Sequence, residues 1–137
     1  MENIYEKFIN KLKSIPQKET ATVVYLQGDL GSGKTTFTKN LCKHFDLSID
    51  ITSPTFTILK SYEFPVESFK KLIHIDAYRL ESYKDLQKIK IDEYLNDKKN
   101  LIFIEWPSII ESDEIKPDVV IRFDYVEDMN KRSVEID

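Results

Sequence analysis

The chain has 137 residues, a formal charge of −4 and a single cysteine, Cys42. This length is close to the commonest size of one compact domain, so we predict a single domain over residues 1–137, and the negative charge argues against a broad electrostatic grip on nucleic acid. No apolar run approaches the ~18 residues that cross a bilayer, and the first residues lack the apolar segment of a secretory signal, so we expect a cytoplasmic protein without a membrane anchor.

The first half of the chain alternates between helical and strand patterns. Apolar residues from Ile4 to Leu12 recur with a helical period, which predicts a helix that ends before Pro16. The β-branched and aromatic run Thr22–Leu26 predicts a buried strand. After a loop that contains glycine, Lys34–Phe45 predicts a second helix, on which Cys42 follows Leu41 and is interpreted as a core residue.

The rest of the chain, from Thr52 onwards, is predicted to be rich in strands. Its predicted segments, in order, are the loop Thr52–Thr55, the strand Phe56–Phe64, the strand Leu72–Ile75 ending at Asp76, a largely helical stretch Ser82–Leu95, the strand Leu101–Ile104 ending at Glu105, a short helix from Pro107, and the strands Val119–Val126 and Arg132–Ile136.

The glycines mark one loop of the chain. Average usage predicts about ten glycines in a chain of this length, yet there are three, and all lie in Gly28-Asp29-Leu30-Gly31-Ser32-Gly33-Lys34-Thr35, which fits G-x-x-x-x-G-K-[ST]. In that pattern glycine lets successive N–H groups turn towards anionic oxygens, the lysine reaches the β- and γ-phosphates, and the threonine hydroxyl binds Mg²⁺. The predicted nucleotide contacts are Asp29, Leu30, Gly31, Ser32, Gly33, Lys34, Thr35 and Thr36.

Two carboxylates follow apolar strands. Asp76 comes after Leu-Ile-His-Ile and Glu105 after Leu-Ile-Phe-Ile, and the carboxyl ends of strands are where open α/β sheets bind ligands. Mg²⁺ needs an anchor besides Thr35, usually an acid at such a strand end. Each acid could instead cap the segment that follows it. Which acid holds the metal and which orients water stays open.

Missing motifs and the small number of arginines argue against other classes of nucleotide-binding protein. A GTPase needs D-x-x-G and N-K-x-D motifs, and neither occurs. A small-molecule kinase is the main alternative, but such enzymes clamp the transferred phosphoryl group with several arginines, and this chain has Arg79, Arg122 and Arg132. A nucleotide-dependent switch with negligible turnover is a third hypothesis.

Four segments in order resemble the bacterial TsaE family. They are Gly-Asp-Leu-Gly-Ser-Gly-Lys-Thr-Thr-Phe at 28–37, Ser-Pro-Thr-Phe-Thr at 53–57, His-Ile-Asp-Ala-Tyr-Arg-Leu at 74–80 and Ile-Glu-Trp-Pro at 104–107. The first is common to P-loop proteins, whereas the third and fourth are much more specific. The resemblance implies an α/β P-loop fold with a mixed, mainly parallel sheet flanked by helices.

The resemblance also implies an activity and partners. Members of the family use ATP with Mg²⁺, hydrolyse ATP, and act with a TsaB–TsaD complex in threonylcarbamoyl modification of tRNA, so contact with tRNA is expected only through that complex. By the same resemblance Thr55 is the switch threonine that senses the γ-phosphate, Asp76 is the conserved acidic group and Glu105 the Mg²⁺ anchor; with Lys34 these are the candidate catalytic residues.

Three further residues bear on the resemblance. Trp106 matches the family tryptophan beside the site, although a half-buried packing role fits equally well. His74 is interpreted as a structural hydrogen-bonding residue and not as a base. The chain departs from the family in lacking a glycine near Lys90 and in its shorter N-terminal segment.

Overall fold

The structure is a computed structural model that describes residues 3–28, 33–49, 58–110, 112–126 and 131–137. Four predicted loop contacts, Asp29, Leu30, Gly31 and Ser32, lie outside these ranges. So do the predicted loop Thr52–Thr55, with its proposed switch residue Thr55, and Phe56 at the start of the following strand.

The described elements alternate along the chain much as the sequence predicts. The helices are α1 (Ile4–Ser14), α2 (Lys34–His44), α3 (Tyr83–Lys88) and α4 (Ile91–Leu95), with a 3₁₀ helix at Pro107–Ile110. The strands are β1 (Thr22–Gln27), β2 (Leu59–Glu63), β3 (Lys71–Asp76), β4 (Asn100–Glu105), β5 (Val119–Val126) and β6 (Lys131–Ile136). No helix in the described ranges is both long enough and apolar enough to cross a membrane.

The strands form one six-stranded sheet in the order β2-β3-β4-β1-β5-β6. The four central strands β3, β4, β1 and β5 are parallel, and the two edge strands β2 and β6 run antiparallel to their neighbours. The mixed, mainly parallel sheet implied by the resemblance is therefore confirmed.

Helices cover both faces of this sheet. On one face, Phe8 of α1 and Phe37 of α2 meet edge to face at 5.8 Å between ring centroids, above strand residues such as Phe103. On the other face, α3 and α4 pack Leu86 and Ile91 against the opposite side chains of the same strands. Burial on both faces explains why the central strands are continuous apolar runs in the sequence.

Cys42 belongs to the first of these cores, as predicted. Its side chain is buried in the cluster formed with α1 and the sheet. Burial raises the pKa of the Cys42 thiol to about 11, because an apolar surrounding disfavours the charged thiolate. At neutral pH the residue is a protonated thiol that packs as a small apolar side chain.

The stretch Ser82–Leu95, predicted to be largely helical, consists of two short helices. The break falls at Lys90, which has left-handed backbone angles (φ 60°, ψ 45°). Glycine adopts this conformation without the steric cost that a Cβ atom brings. A glycine, which the resemblance leads us to expect near this position, would suit this turn, and in this chain a lysine makes it.

Candidate active site

The carboxyl ends of β1, β4 and β3 lie side by side at one edge of the sheet. Leu26 of β1 is paired in register with Glu105, and Glu105 is paired in register with Asp76. Gly28, which follows β1, and the two acids predicted from the sequence therefore lie at this edge. Open α/β sheets bind their ligands at such an edge.

Both acids lie on the sheet face that α1 and α2 cover. Side chains alternate along a strand, so Asp76 shares a face with Leu72, and Glu105 shares a face with Phe103. Leu72 and Phe103 belong to the core beneath α1 and α2. The two carboxylates are thus on the same side of the sheet as the helix that begins at Lys34.

The start of α2 is arranged to receive an anion. Gly33 precedes the helix with left-handed angles (φ 103°, ψ 15°), and the first turn contains no acidic residue. Among the described residues, no side-chain hydrogen bond caps this turn. The first N–H groups of a helix have no partner within the helix and carry its positive dipole end. Thr35 is half-buried and Thr36 exposed in the same turn. Oxygens of a phosphate would satisfy these N–H groups.

Lys34 lies at the centre of this edge with only 5% of its surface exposed. Its Nζ donates a hydrogen bond to the Gly28 carbonyl oxygen at 2.6 Å and lies 3.8 Å from the centroid of the Trp106 ring. A buried ammonium group needs such partners, because removal of its hydration shell is costly. Lys34 therefore connects the start of the glycine loop to the residue that follows Glu105.

Trp106 reaches Lys34 through a sharp turn. It is the one residue between β4 and the 3₁₀ helix Pro107–Ile110, and its φ of 60° places it in the left-handed region, which costs a residue with a Cβ atom about 1–2 kcal/mol. The ring is half-buried and packs 5.1 Å from the exposed ring of Tyr78, between centroids. Trp106 is thus both a packing residue and a neighbour of the site, so both roles considered from the sequence apply.

Glu105 is buried and bonded to His74. The His74 Nε2 atom lies 2.6 Å from the Glu105 Oε2 atom, and the two side chains are 0% and 5% exposed. The structure agrees with the interpretation of His74 as a hydrogen-bonding residue. Sequence reasoning did not identify its partner, since that requires knowing that β3 and β4 are neighbours.

Asp76 is half-buried and shapes the turn that follows it. Its Oδ1 atom accepts a hydrogen bond from the backbone N–H of Tyr78 at 3.0 Å. This is the capping role that the sequence left open for a carboxylate at this position. It orients the turn that carries Arg79, whose side chain is exposed.

The described residues do not form a metal centre by themselves. Within the described ranges, no three histidine, cysteine, aspartate or glutamate residues come close enough together to hold an ion. A nucleotide-bound Mg²⁺ does not need such a cluster, because it takes one or two protein oxygens and completes its shell with phosphate and water. The Thr35 hydroxyl and the carboxylates at the strand ends fit that kind of site.

The strand β1, the glycine turn before α2, Lys34 at the first turn of α2 and the parallel strands alongside define a P-loop fold. The family model described as "Threonylcarbamoyl adenosine biosynthesis protein TsaE" matches residues 1–134. The chain belongs to the TsaE family.

Individual relatives agree with this assignment. The chain is 39% identical over 115 residues to a tRNA threonylcarbamoyladenosine biosynthesis protein TsaE of Rickettsia felis, covering 83% of this chain and 64% of that one. It is 32% identical over 118 residues to the protein of that name in Haemophilus influenzae, covering 86% and 71%. The chain thus spans a little less than two thirds of the Rickettsia protein.

A solved structure has the same fold. The crystal structure of Bacillus subtilis YdiB superposes with a TM-score of 0.62 at 30% sequence identity. The superposition covers 98% of this chain and 79% of that chain. The likeness extends over almost all of the sheet and its covering helices.

Proposed function

We propose that this protein binds ATP with Mg²⁺ and hydrolyses it in the biosynthesis of threonylcarbamoyladenosine in tRNA, acting with a TsaB–TsaD complex in the cytoplasm. The observation that carries the proposal is the edge of the sheet at which Lys34, the start of α2 and the paired strand ends Asp76 and Glu105 lie together. Family membership supports the pathway, and the resemblance supports the partners.

Each residue of the candidate site has a part in the proposed reaction. The N–H groups at the start of α2 bind phosphate oxygens, and the Lys34 ammonium balances charge between the β- and γ-phosphates. The Thr35 hydroxyl and one of the two carboxylates hold Mg²⁺, and the other carboxylate orients the attacking water. Water attacks the γ-phosphorus, the bond to the bridging oxygen breaks, and ADP and phosphate leave. Thr55 and residues 29–32 are proposed contacts of the nucleotide on the strength of the sequence.

Within the described ranges few cationic side chains lie near the site, which favours a slow reaction in the isolated protein. Arg122 is ion-paired with Asp137, and Arg79 is exposed in the turn after Asp76. Phosphoryl transfer depends on positive charge held against the developing negative oxygens, and a group supplied by a partner adds roughly 10³-fold or more. We therefore propose that binding of TsaB–TsaD completes the site and that tRNA is met only through that complex.

We expect ATP to bind at least tenfold more tightly than GTP, because the chain lacks the N-K-x-D motif that recognises guanine. Trp106 is the sole tryptophan of the sequence and its ring lies against Lys34. Movement of the ammonium from the ring to a phosphate should change the tryptophan fluorescence. Titration with Mg-ATP, followed by competition with GTP, measures both affinities. Equal competition by the two nucleotides would count against the adenine preference, and no binding of either would remove the proposed function.

A further inference from the structure

The buried pair of His74 and Glu105 has a geometry that the roles proposed above do not use. The two residues lie on adjacent parallel strands, and His74 is opposite Phe103, two residues before Glu105. The hydrogen bond therefore runs diagonally between the strands, on the face that α2 covers. With both side chains buried, water does not compete for this bond as it would at the surface.

The surroundings of Nδ1, the other ring nitrogen of His74, indicate which group donates the hydrogen bond to Glu105. Nδ1 is buried and has no hydrogen-bond partner among the residues that the structure describes. A proton on Nδ1 would be a buried donor left unsatisfied, which is costly. We therefore place a proton on Nε2, which donates it to the Glu105 Oε2 atom.

This bond restricts how the Glu105 carboxylate can turn. An ionised carboxylate has two oxygens with about four acceptor positions, and the bond to His74 occupies one of them on Oε2. Within the described ranges no other hydrogen bond to this carboxylate is seen, so its remaining positions can take further ligands at the strand end. Groups that orient a metal ligand in this way change metal affinity by roughly 10–100-fold when they are removed.

We propose that His74 is a positioning residue, which holds the Glu105 carboxylate in the orientation that receives Mg²⁺ with the nucleotide. This inference rests on the proposed function, because it takes Glu105 as the metal anchor. It predicts that loss of the Nε2 donor weakens the response to Mg²⁺ and leaves the binding of nucleotide without metal unchanged.

The test compares His74→Leu with His74→Gln. Leucine removes the donor at similar volume, whereas the amide nitrogen of glutamine can take the place of Nε2. Trp106 fluorescence follows two quantities: the Mg²⁺ concentration that gives half of the metal-dependent change in ATP affinity, and the affinity for ADP in the presence of a chelator. His74→Leu is expected to raise the Mg²⁺ concentration about 10–100-fold, and His74→Gln to raise it less than about threefold, while ADP affinity without metal stays the same in both.

A second comparison, made in a protein that already carries Glu105→Gln, distinguishes a positioning role of His74 from a general loss of stability. In a Glu105→Gln protein, His74→Leu should add no further shift, since the carboxylate it orients is gone. If His74→Leu does not fold, His74→Asn takes its place, because its shorter amide does not reach the Glu105 carboxylate. An unchanged Mg²⁺ requirement with only a lower melting temperature would overturn the proposal, as would a glutamine variant no better than the leucine variant. Failure of the proposed function would give a different result, because the unaltered protein would then bind no nucleotide.

Discussion

Replacement of Lys34 by alanine is expected to abolish productive ATP binding. The Nζ atom lies at the centre of the site, between the start of the glycine loop and the Trp106 ring. In the proposed complex the ammonium bonds to the β- and γ-phosphates. Charge-assisted hydrogen bonds are each worth about 1.5–3 kcal/mol, so losing these two lowers the affinity for ATP about 100-fold or more. Isothermal titration calorimetry of Mg-ATP with the variant measures this loss.

The fold of the Lys34→Ala protein should be retained. Lys34 contacts Gly28 and Trp106 at the sheet edge, whereas the core beneath α2 is formed by Phe37 and Leu41. Lys39→Ala is the matched control, because Lys39 is an exposed lysine of the same helix; it should bind Mg-ATP as the unaltered protein does. Unchanged ATP affinity in a Lys34→Ala protein with a normal melting curve would contradict the phosphate-loop assignment.

Glu105→Gln and Asp76→Asn are each expected to lower ATP turnover at least about 100-fold, with much smaller effects on stability. Amide substitutions suit this site better than alanine. Glutamine can still bond to His74, and asparagine keeps an oxygen that can accept from the Tyr78 N–H. Glu93→Gln, an exposed acid of α4, is the control for loss of one negative charge. Turnover at saturating Mg-ATP, beside thermal melting, gives the comparison.

The same two variants separate the roles of the acids. The variant of the metal anchor should need more Mg²⁺ for half-maximal turnover. The variant of the acid that orients water should bind Mg-ATP normally and lose turnover. Normal turnover together with unchanged Mg-ATP binding in both variants would leave Asp76 as a turn cap and Glu105 as the buried partner of His74.

The central fold was predictable from the sequence because its signals are local. Strands such as Leu101–Ile104 are buried on both faces and so are uniformly apolar, and the glycines gather in the one loop that requires them. The division of Ser82–Leu95 was not predictable in the same way. Lys90 has no residue-level signal for left-handed angles, and the surrounding packing of α3 and α4 imposes them.

The candidate site likewise contains residues that were predictable from the sequence and contacts that were not. Lys34, Asp76 and Glu105 could be identified from a motif and from the ends of apolar runs. The contacts of Lys34 with Trp106 and of Glu105 with His74 could not, because they depend on β4 lying between β1 and β3. Strand order is set by the packing of the whole sheet, and no short stretch of sequence contains it.

The proposed function is tested most directly by ATP turnover at saturating Mg-ATP, measured for the protein alone and with purified TsaB–TsaD from the same source. Slow turnover alone and a stimulation of about 10³-fold by the partners are expected, since a partner can supply positive charge in addition to that of Lys34. Complex formation is verified in the same samples by size-exclusion chromatography. No change in turnover despite a demonstrated complex would contradict the account and favour a small-molecule kinase with the same P-loop core.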